Sequence, residues 1–569
     1  MSTIGHAPRR AGPLAVLGRR CTGACGWLAA SAAVAALVLT PVVALIVIAL
    51  DGEAAVWRHL VANVLPSVVP TTAMLLAGVG VVVIAVGTGT AWLVTSYDFP
   101  GRRVLDWALL LPLAVPTYVV AFAYLDVLHP LGPVHGAIRA VLGIDDPAGL
   151  RLPDIRSLPG AILVFGLVLY PYVYLTTRAL FLMQAAGLIE AARTLGAGRR
   201  RLFFRVALPL ARPAIAVGAA LALMETLNDI GASQFLGLRT MTVSVYATWV
   251  NQSNLAGAAE IALVMLAVVV VLVALERAAR GGQRYATPTQ RGQVLARRPL
   301  AGGRAWLAFI AGAAPVLLGF AVPAAHLIAE TVERVGFAGV SNAIVAETFN
   351  TLAVAAVATV AALACGLVVA YAARLDRGRT GAGLVRLASL GYALPGTVLA
   401  IGLFIPLAGL DNLIDGWSRQ ALGIATGLML SGSLAIVVYA YVVRFLAIAA
   451  GGIEAGFDKI APALDHSART LGRTAGGALR AVHLPLIRPA LAAAAILVFV
   501  DCMKELPATL LLRPLNFETL ATHLYGEAVR GTYEDGAVAA LAIVVAGLAP
   551  VVLLARLSGA AVRARTATP

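Results

Sequence analysis

Two octapeptides carry most of the chemistry in this sequence. Met224-Glu225-Thr226-Leu227-Asn228-Asp229-Ile230-Gly231 sets two carboxylates four residues apart, and Val500-Asp501-Cys502-Met503-Lys504-Glu505-Leu506-Pro507 repeats that spacing 276 positions later. Residues i and i+4 share one face of a helix, so each pair points the same way. Glu225 lies about 18 Å along a helix begun at Pro213, inside otherwise apolar sequence. An ionisable side chain deep in a bilayer costs about 2.5–3.5 kcal/mol on insertion scales. Four at equivalent positions need a reason. Glu225, Asp229, Asp501 and Glu505 are therefore the candidate lining of a central pathway and candidate transient metal ligands, since carboxylate oxygens suit hard cations. An oxyanion would call for Arg or helix N-termini. Lys504 joins the candidate set, either neutralising a neighbouring carboxylate or serving an anion. Protonation and interhelical hydrogen bonds offer a purely structural alternative for all five.

The elements that must hold these residues are membrane helices. Of 569 residues, 60% are hydrophobic and only 12% charged, against about 25% charged in soluble domains. That excludes a soluble enzyme and a disordered chain. Four scattered cysteines (Cys21, Cys25, Cys365 and Cys502) make neither a disulfide framework nor a zinc site. A spanning helix needs about 20 apolar residues. The sequence predicts twelve, near 27–50, 67–97, 105–128, 159–183, 213–237, 257–276, 305–329, 347–373, 384–408, 422–449, 489–513 and 535–556. The stretch 67–97 is long enough to tilt or to hold a non-spanning turn around Pro70. Residues 27–50 exceed a removable signal peptide and read as a retained first helix.

Charge orients the chain. Most of the 43 Lys and Arg fall on the side where twelve spans put both termini, including Arg9, Arg10, Arg19, Arg20, Arg199–Arg201 and the linker from Arg277 to Arg304. Positive residues stay cytoplasmic, so both termini are expected in the cytoplasm. The net charge of +15 is thus a topology signal. Without interleaved base-stacking aromatics it does not point to nucleic acid.

The chain is also a duplication. Glu190-Ala-Ala-Arg-Thr-Leu-Gly196 returns as His466-Ser-Ala-Arg-Thr-Leu-Gly472, and Leu208-Pro-Leu-Ala-Arg-Pro-Ala214 as Leu484-Pro-Leu-Ile-Arg-Pro-Ala490, both at an offset of 276. Pro116 answers to Pro395 and Tyr172 to Tyr441, with small insertions between. Six spans per half insert the same way up, which predicts an all-α fold of two parallel six-helix repeats with any shared site at their interface.

Each repeated loop joins the fourth and fifth spans of its half. Glu190, Ala191, Ala192, Gly196 and Pro209 answer to His466, Ser467, Ala468, Gly472 and Pro485. The glycines permit a sharp change of direction, and the prolines suit the first turn of the next helix. A basic loop that merely joins helices is the bland alternative. The pattern of EAA, Gly and Leu-Pro resembles the EAA loop of type I ABC importer permeases, over residues 66–277 and 346–557. The resemblance implies that each loop is a coupling helix docked on an ATPase subunit, hence two copies of that subunit. It divides the chain into a tail and first helix (1–65), a first permease domain (66–277), a cytoplasmic linker (278–304), a seventh helix and external loop (305–345), a second permease domain (346–557) and a cytoplasmic tail (558–569). The second loop departs at His466 and Ser467, with Asp465 one residue earlier as a stand-in for Glu. No P-loop is present: the two lysines, Lys459 and Lys504, follow no glycine. The chain is therefore expected to be no enzyme itself, with ATP used by a partner subunit.

A closer resemblance lies in Met503-Lys-Glu-Leu-Pro-Ala-Thr-Leu-Leu-Leu-Arg-Pro-Leu-Asn-Phe-Glu-Thr-Leu-Ala521, with Tyr392-Ala-Leu-Pro-Gly396. These are similar to ferric iron ABC importer permeases of the fused two-repeat form. That implies Fe³⁺ as cargo, a periplasmic iron-binding protein as donor, a bacterial inner-membrane location and no covalently bound cofactor. Permeases for thiamine, polyamines or aminoethylphosphonate share the loop and are the alternatives, ahead of an ion-coupled secondary transporter with 6+6 repeats. Tyr170, Tyr172, Tyr174, Tyr439 and Tyr441 read as packing or anchors rather than ligands. His129, His135, Asp145, Asp146 and Asp154 read as a solvated external loop. His59, His326 and His523 are scattered near outer span ends without a motif.

Overall fold

The computed structural model of the protein describes residues 13–146, 149–150, 152–183, 192, 194–280, 297–376 and 378–566, and nearly all of them are helical. The first half contains α1 (Pro13–Leu50), α2 (Ala54–Ser96), α3 (Arg102–Ala108), α4 (Thr117–Val127), α5 (Pro133–Leu142), α6 (Leu158–Met183), α7 (Arg200–Asn228), α8 (Gly231–Phe235), α9 (Met241–Tyr246) and α10 (Leu255–Arg280). The second contains α11 (Gly303–Ala338), α12 (Asn342–Leu375), α13 (Arg379–Ala388), α14 (Gly396–Leu422), α15 (Leu434–Phe457), α16 (Pro462–Thr470), α17 (Ala475–Met503), α18 (Pro507–Leu512), α19 (Leu520–Arg530) and α20 (Tyr533–Thr566). A two-residue parallel pair, Tyr97–Asp98 with Arg298–Pro299, ties the end of α2 to the linker.

Among the described residues, eleven helices are long and apolar enough to cross a membrane. The twelfth predicted span, 105–128, is instead a pair of segments, Arg102–Ala114 and Thr117–Val127, bent by 91°. Pro116 causes the break. It lacks an N–H and holds extended backbone (ψ 146°) immediately ahead of α4. Pro395 does the same ahead of α14 (ψ 143°), so the span expected at 384–408 begins twelve residues later and runs to Leu422. The spans expected at 213–237 and 489–513 stop early, at Asn228 and Met503. By contrast, no turn forms at Pro70, which lies inside the continuous α2.

The prolines of the repeated Leu-Pro motif do not open their helices, contrary to expectation. Pro209 and Pro485 follow π-helical turns, Phe203–Ala207 and Leu479–His483, inside longer helices. The same device precedes Pro66 and Pro323. One extra residue in the turn relieves the clash between the proline ring and the preceding carbonyls, so the helix continues.

Two compact units divide the chain: Met1–Val42, Ala356–Ala393 and Tyr441–Phe499 form one, and Val43–Ala355, Leu394–Ala440 and Val500–Pro569 the other. The smaller unit is built on Tyr371, Ile453, Phe457, Leu479 and Ile487. The larger buries an extended core from α2, α4, α6, α7, α19 and α20, including Val79, Val119, Phe165, Ala222, Leu524 and Ala540.

Repetition extends to individual contacts. Gly87 lies so close to α6 that a Cβ would fall 2.7 Å from the Val173 Cβ. Its counterpart Gly366 would meet the Ala449 Cβ on α15 at 3.0 Å. Thr72 Oγ1 accepts the Met241 N–H at 3.0 Å, and Thr351 Oγ1 accepts the Leu520 N–H at 2.9 Å. Because α6 starts at Leu158 and α15 at Leu434, the 276 offset carries through these helices. Tyr172 thus answers to Ile448, and the pairing of Tyr172 with Tyr441 is corrected.

Candidate translocation site and coupling segments

Both carboxylate motifs sit where a helix breaks. α7 ends at Asn228, and α8 starts after two intervening residues; α17 ends at Met503, ahead of α18. Asp229 leaves helical geometry (ψ 113°) and its Oδ1 accepts the Ala232 N–H at 2.7 Å. Glu505 accepts more: the Ala508 and Thr509 N–H groups at 3.0 Å each, and the Thr509 hydroxyl at 2.6 Å. Each carboxylate therefore satisfies the orphan donors that a helix start leaves behind, where partial positive charge favours an anion. Glu505 is buried and Asp229 half-buried. Lys504 Nζ pairs with Asp501 Oδ1 at 2.7 Å, one of the carboxylates it could neutralise. Glu225 is half-buried one turn before Asp229, whose N–H donates to the Glu225 carbonyl at 3.1 Å.

The breaks meet the bends of the opposite repeat. Tyr118, second residue of α4, donates its hydroxyl to the Lys504 carbonyl at 3.3 Å. Asn228 Oδ1 accepts the Gly396 N–H at the start of α14, at 2.6 Å. Gly231 fits only as glycine: a Cβ would lie 2.7 Å from the Tyr118 Cβ and 3.0 Å from Leu506 Cδ2. Asp229 and Glu505 both bear electrostatically on the Tyr118 hydroxyl. The structure thus gathers Asp229, Lys504 and Glu505 around one buried tyrosine. It does not gather the four proposed metal ligands. Among the described residues, Glu225, Asp229, Asp501 and Glu505 form no group of three with ligand atoms within 4.8 Å; Asp126, His326 and Glu330 do. For three of them the reason is local: capping holds Asp229 and Glu505, and the Lys504 pair holds Asp501, to their own chain segments.

Sequence reasoning missed Tyr118 and Asn228. Neither is charged, and only the mirrored Pro116 and Pro395 bends hinted that this level of the chain mattered. His326 carries no motif of its own, although Glu330 stands four residues on. Two of the candidate tyrosines are core residues. Tyr170 and Tyr174 are fully buried, with Tyr174 donating to the Asp106 carbonyl at 2.8 Å. Asp154 closes its own turn onto the Arg156 N–H.

At the other end of the fifth spans, Glu190 and Ala191 lie outside the described residues. Ala192 is half-buried, and Gly196 takes φ 78°. Gly472 matches it at φ 76°, two residues past the end of α16, a helix in which His466 and Ser467 are exposed and Ala468 is buried. Leu195 and Leu471, each just before its glycine, are 88% and 81% exposed. Asp465 is no outward substitute for the missing Glu. Its carboxylate turns inward to Arg374 at 2.8 Å and His483 at 2.6 Å. Arg374 also donates to the Phe457 and Ile460 carbonyls at 2.6 and 3.2 Å. Arg374 thereby joins the ends of α12 and α15 to α16.

Known proteins align with these features. The profile of the family described as "Binding-protein-dependent transport system inner membrane component" matches residues 83–281. The Fe(3+)-transport system permease protein FbpB 2 of Haemophilus influenzae is 24% identical over 490 residues, covering 85% of this chain and 88% of that one. A probable ABC transporter permease, y4fN of Sinorhizobium fredii, is 26% identical over 522 residues, 86% of this chain and 87% of its own. The molybdenum transport system permease protein ModB of Escherichia coli is 32% identical over 187 residues, 32% of this chain but 78% of its own. A single-repeat match to one third of the chain, beside two matches along nearly all of it, fits the duplicated helix breaks and loops. The chain belongs to the binding-protein-dependent transport system inner membrane components, as a fused two-repeat ABC permease that crosses the membrane many times.

Proposed function

We propose that this permease carries Fe³⁺, released by a periplasmic binding protein, inward between its two repeats. One observation carries the reading. The N-termini of α8 and α18, which an oxyanion would use, are already occupied by the Asp229 and Glu505 carboxylates. With Glu225 and Asp501 one turn earlier, the two breaks present negative rather than positive charge. A likeness along both repeats to a permease named for Fe(3+) transport supports the same cargo. Glu225, Asp229, Asp501, Lys504 and Glu505 would line the path, the carboxylates touching the ion in passing. Rearrangement of the breaks as the repeats rock would bring them together.

Two copies of a separate ATPase subunit would dock on the segments around Gly196 and Gly472. Leu195 and Leu471 offer repeated apolar knobs there, beside the exposed His466 and Ser467. Both termini would then face the cytoplasm. Lys504 and the similarity to a molybdenum permease favour an oxyanion as the second reading. The chain reconstituted with its ATPase and binding protein decides between them. ATP-dependent uptake of radiolabelled Fe³⁺, without uptake of molybdate or thiamine, is the expected result. Molybdate uptake without iron would discard the cation path.

A further inference from the structure

A second cluster of metal-binding side chains lies well away from the helix breaks. Asp126 comes from the last turn of α4. His326 and Glu330 come from α11, four residues apart and so on one face. His326 Nε2 is 2.9 Å from Asp126 Oδ2, and Nδ1 is 4.0 Å from Glu330 Oε1. One ligand atom from each of the three lies within 4.8 Å of the other two. His326 is 10% exposed, Asp126 27% and Glu330 23%, so the donors are sheltered yet reachable.

Two further observations set this cluster apart from an ordinary ion pair. Its helices are fixed to each other, because the Tyr124 hydroxyl donates to the Leu318 carbonyl at 2.5 Å. The donors are therefore carried on helices joined to each other. The surroundings are also acidic in a chain of net charge +15. Glu333 and Glu534 bear on Glu330, while Arg334, four residues along from Glu330, is engaged by Asp535 at 2.6 Å. One imidazole cannot neutralise this many carboxylates, and a multivalent cation can.

We propose that Asp126, His326 and Glu330 form a binding site for a first-row transition-metal ion. One nitrogen and two carboxylate oxygens suit Zn²⁺, Mn²⁺ and iron better than Ca²⁺ or Mg²⁺, which favour all-oxygen shells. Metal–ligand bonds of about 2.0–2.2 Å require Glu330 to swing in and the close His326–Asp126 pair to part slightly around the ion. With three protein ligands, a further position stays open for water or for a group on a docked partner. His326 lies about 35 Å along α11 from Gly303, at the end far from the linker. The site does not depend on which cargo the permease carries.

The test uses the full chain with its ATPase in lipid nanodiscs, without binding protein or ATP. Zn²⁺ and Mn²⁺ are titrated separately in metal-free buffer, and bound metal is measured by elemental analysis after gel filtration. The expected result is one equivalent per chain, with affinity falling roughly tenfold or more in Glu330→Gln and in Asp126→Asn with Glu330→Gln. Glu330→Gln alone changes the longest contact and least disturbs folding, and monodisperse elution with bound ATPase verifies assembly. His129→Ala should bind as the unaltered chain does. Absence of a bound equivalent, or full affinity in the double variant, overturns the site. Failed iron uptake would leave this result untouched.

Discussion

The hydroxyl of Tyr118 donates to the backbone carbonyl of Lys504 across the two repeats, at 3.3 Å. Its counterpart is the Asn228 side chain of the first repeat, which accepts the Gly396 N–H of the second. In each case the bend after one repeat's proline is fastened to the broken fifth span of the other. Alternating access requires the repeats to move against each other, and these two bonds lie where that movement would be felt. Removing the Tyr118 hydroxyl with Tyr118→Phe should cost about 1 kcal/mol of stability. Gly231→Ala should cost more, about 1–3 kcal/mol, because its methyl meets the Tyr118 Cβ and Leu506. Thermal unfolding in detergent reads both. A Gly231→Ala protein as stable as the parent would show that the junction is looser than its contacts imply.

Capping and transport can be separated among the carboxylates. Glu505 accepts three hydrogen bonds within its own chain segment, so Glu505→Ala should destabilise by about 1–2 kcal/mol. Glu225→Ala with Asp501→Ala should instead abolish uptake while assembly with the ATPase persists. Normal uptake by that double variant would remove both residues from the path.

Much of this architecture was legible in the sequence, because hydropathy and a recurring internal motif are local signals. The Glu190 and His466 heptapeptides located the segments that precede the fifth spans, and Gly196 and Gly472 take the left-handed backbone that a sharp change of direction uses. What was not legible came from tertiary geometry. Spacing marks Asp229 and Glu505 as candidate pathway carboxylates, but that each also caps a helix start follows only from the break in the backbone. Asp465 looks like a displaced Glu of the EAA motif, yet Arg374, some ninety residues earlier in sequence, draws it inward. Apolar runs such as 105–128 likewise hide a 91° bend, since proline interrupts a helix without lowering its hydropathy much.

The Asp465 clamp leads to a prediction about asymmetry. At equivalent positions the first half has Thr95, Ile189 and Ala207 in place of Arg374, Asp465 and His483, so that half lacks the ionic tie. Asp465→Asn leaves Arg374 less compensated and should lower stability by about 3 kcal/mol. Leu471→Ser should leave stability unchanged, since the side chain is exposed, but weaken ATPase co-purification. Retention of the ATPase by Leu195→Ser with Leu471→Ser would sink the docking role. Deleting the residues around Gly196 should uncouple transport from ATP hydrolysis, read as ATPase activity that no longer responds to the binding protein.

The last prediction concerns pH. His523 Nδ1 lies 3.0 Å from Glu347 Oε2, joining α19 to α12. The hydrogen bond to Glu347 raises the His523 imidazole above its ordinary 6.5, against an opposing effect of burial and with help from the charges of Glu347 and Glu527 and the Asp535 backbone. A pKa raised on folding means that the folded chain holds the proton more tightly than the unfolded chain. The resulting stabilisation is complete below 6.5 and disappears as pH rises through the folded value. His523→Gln should therefore lower the melting temperature most near pH 5.5 and least near pH 8.5, with a difference worth about 1 kcal/mol. A deficit that stays constant across that range would mean that His523 contributes packing alone and that its charge is not held by Glu347.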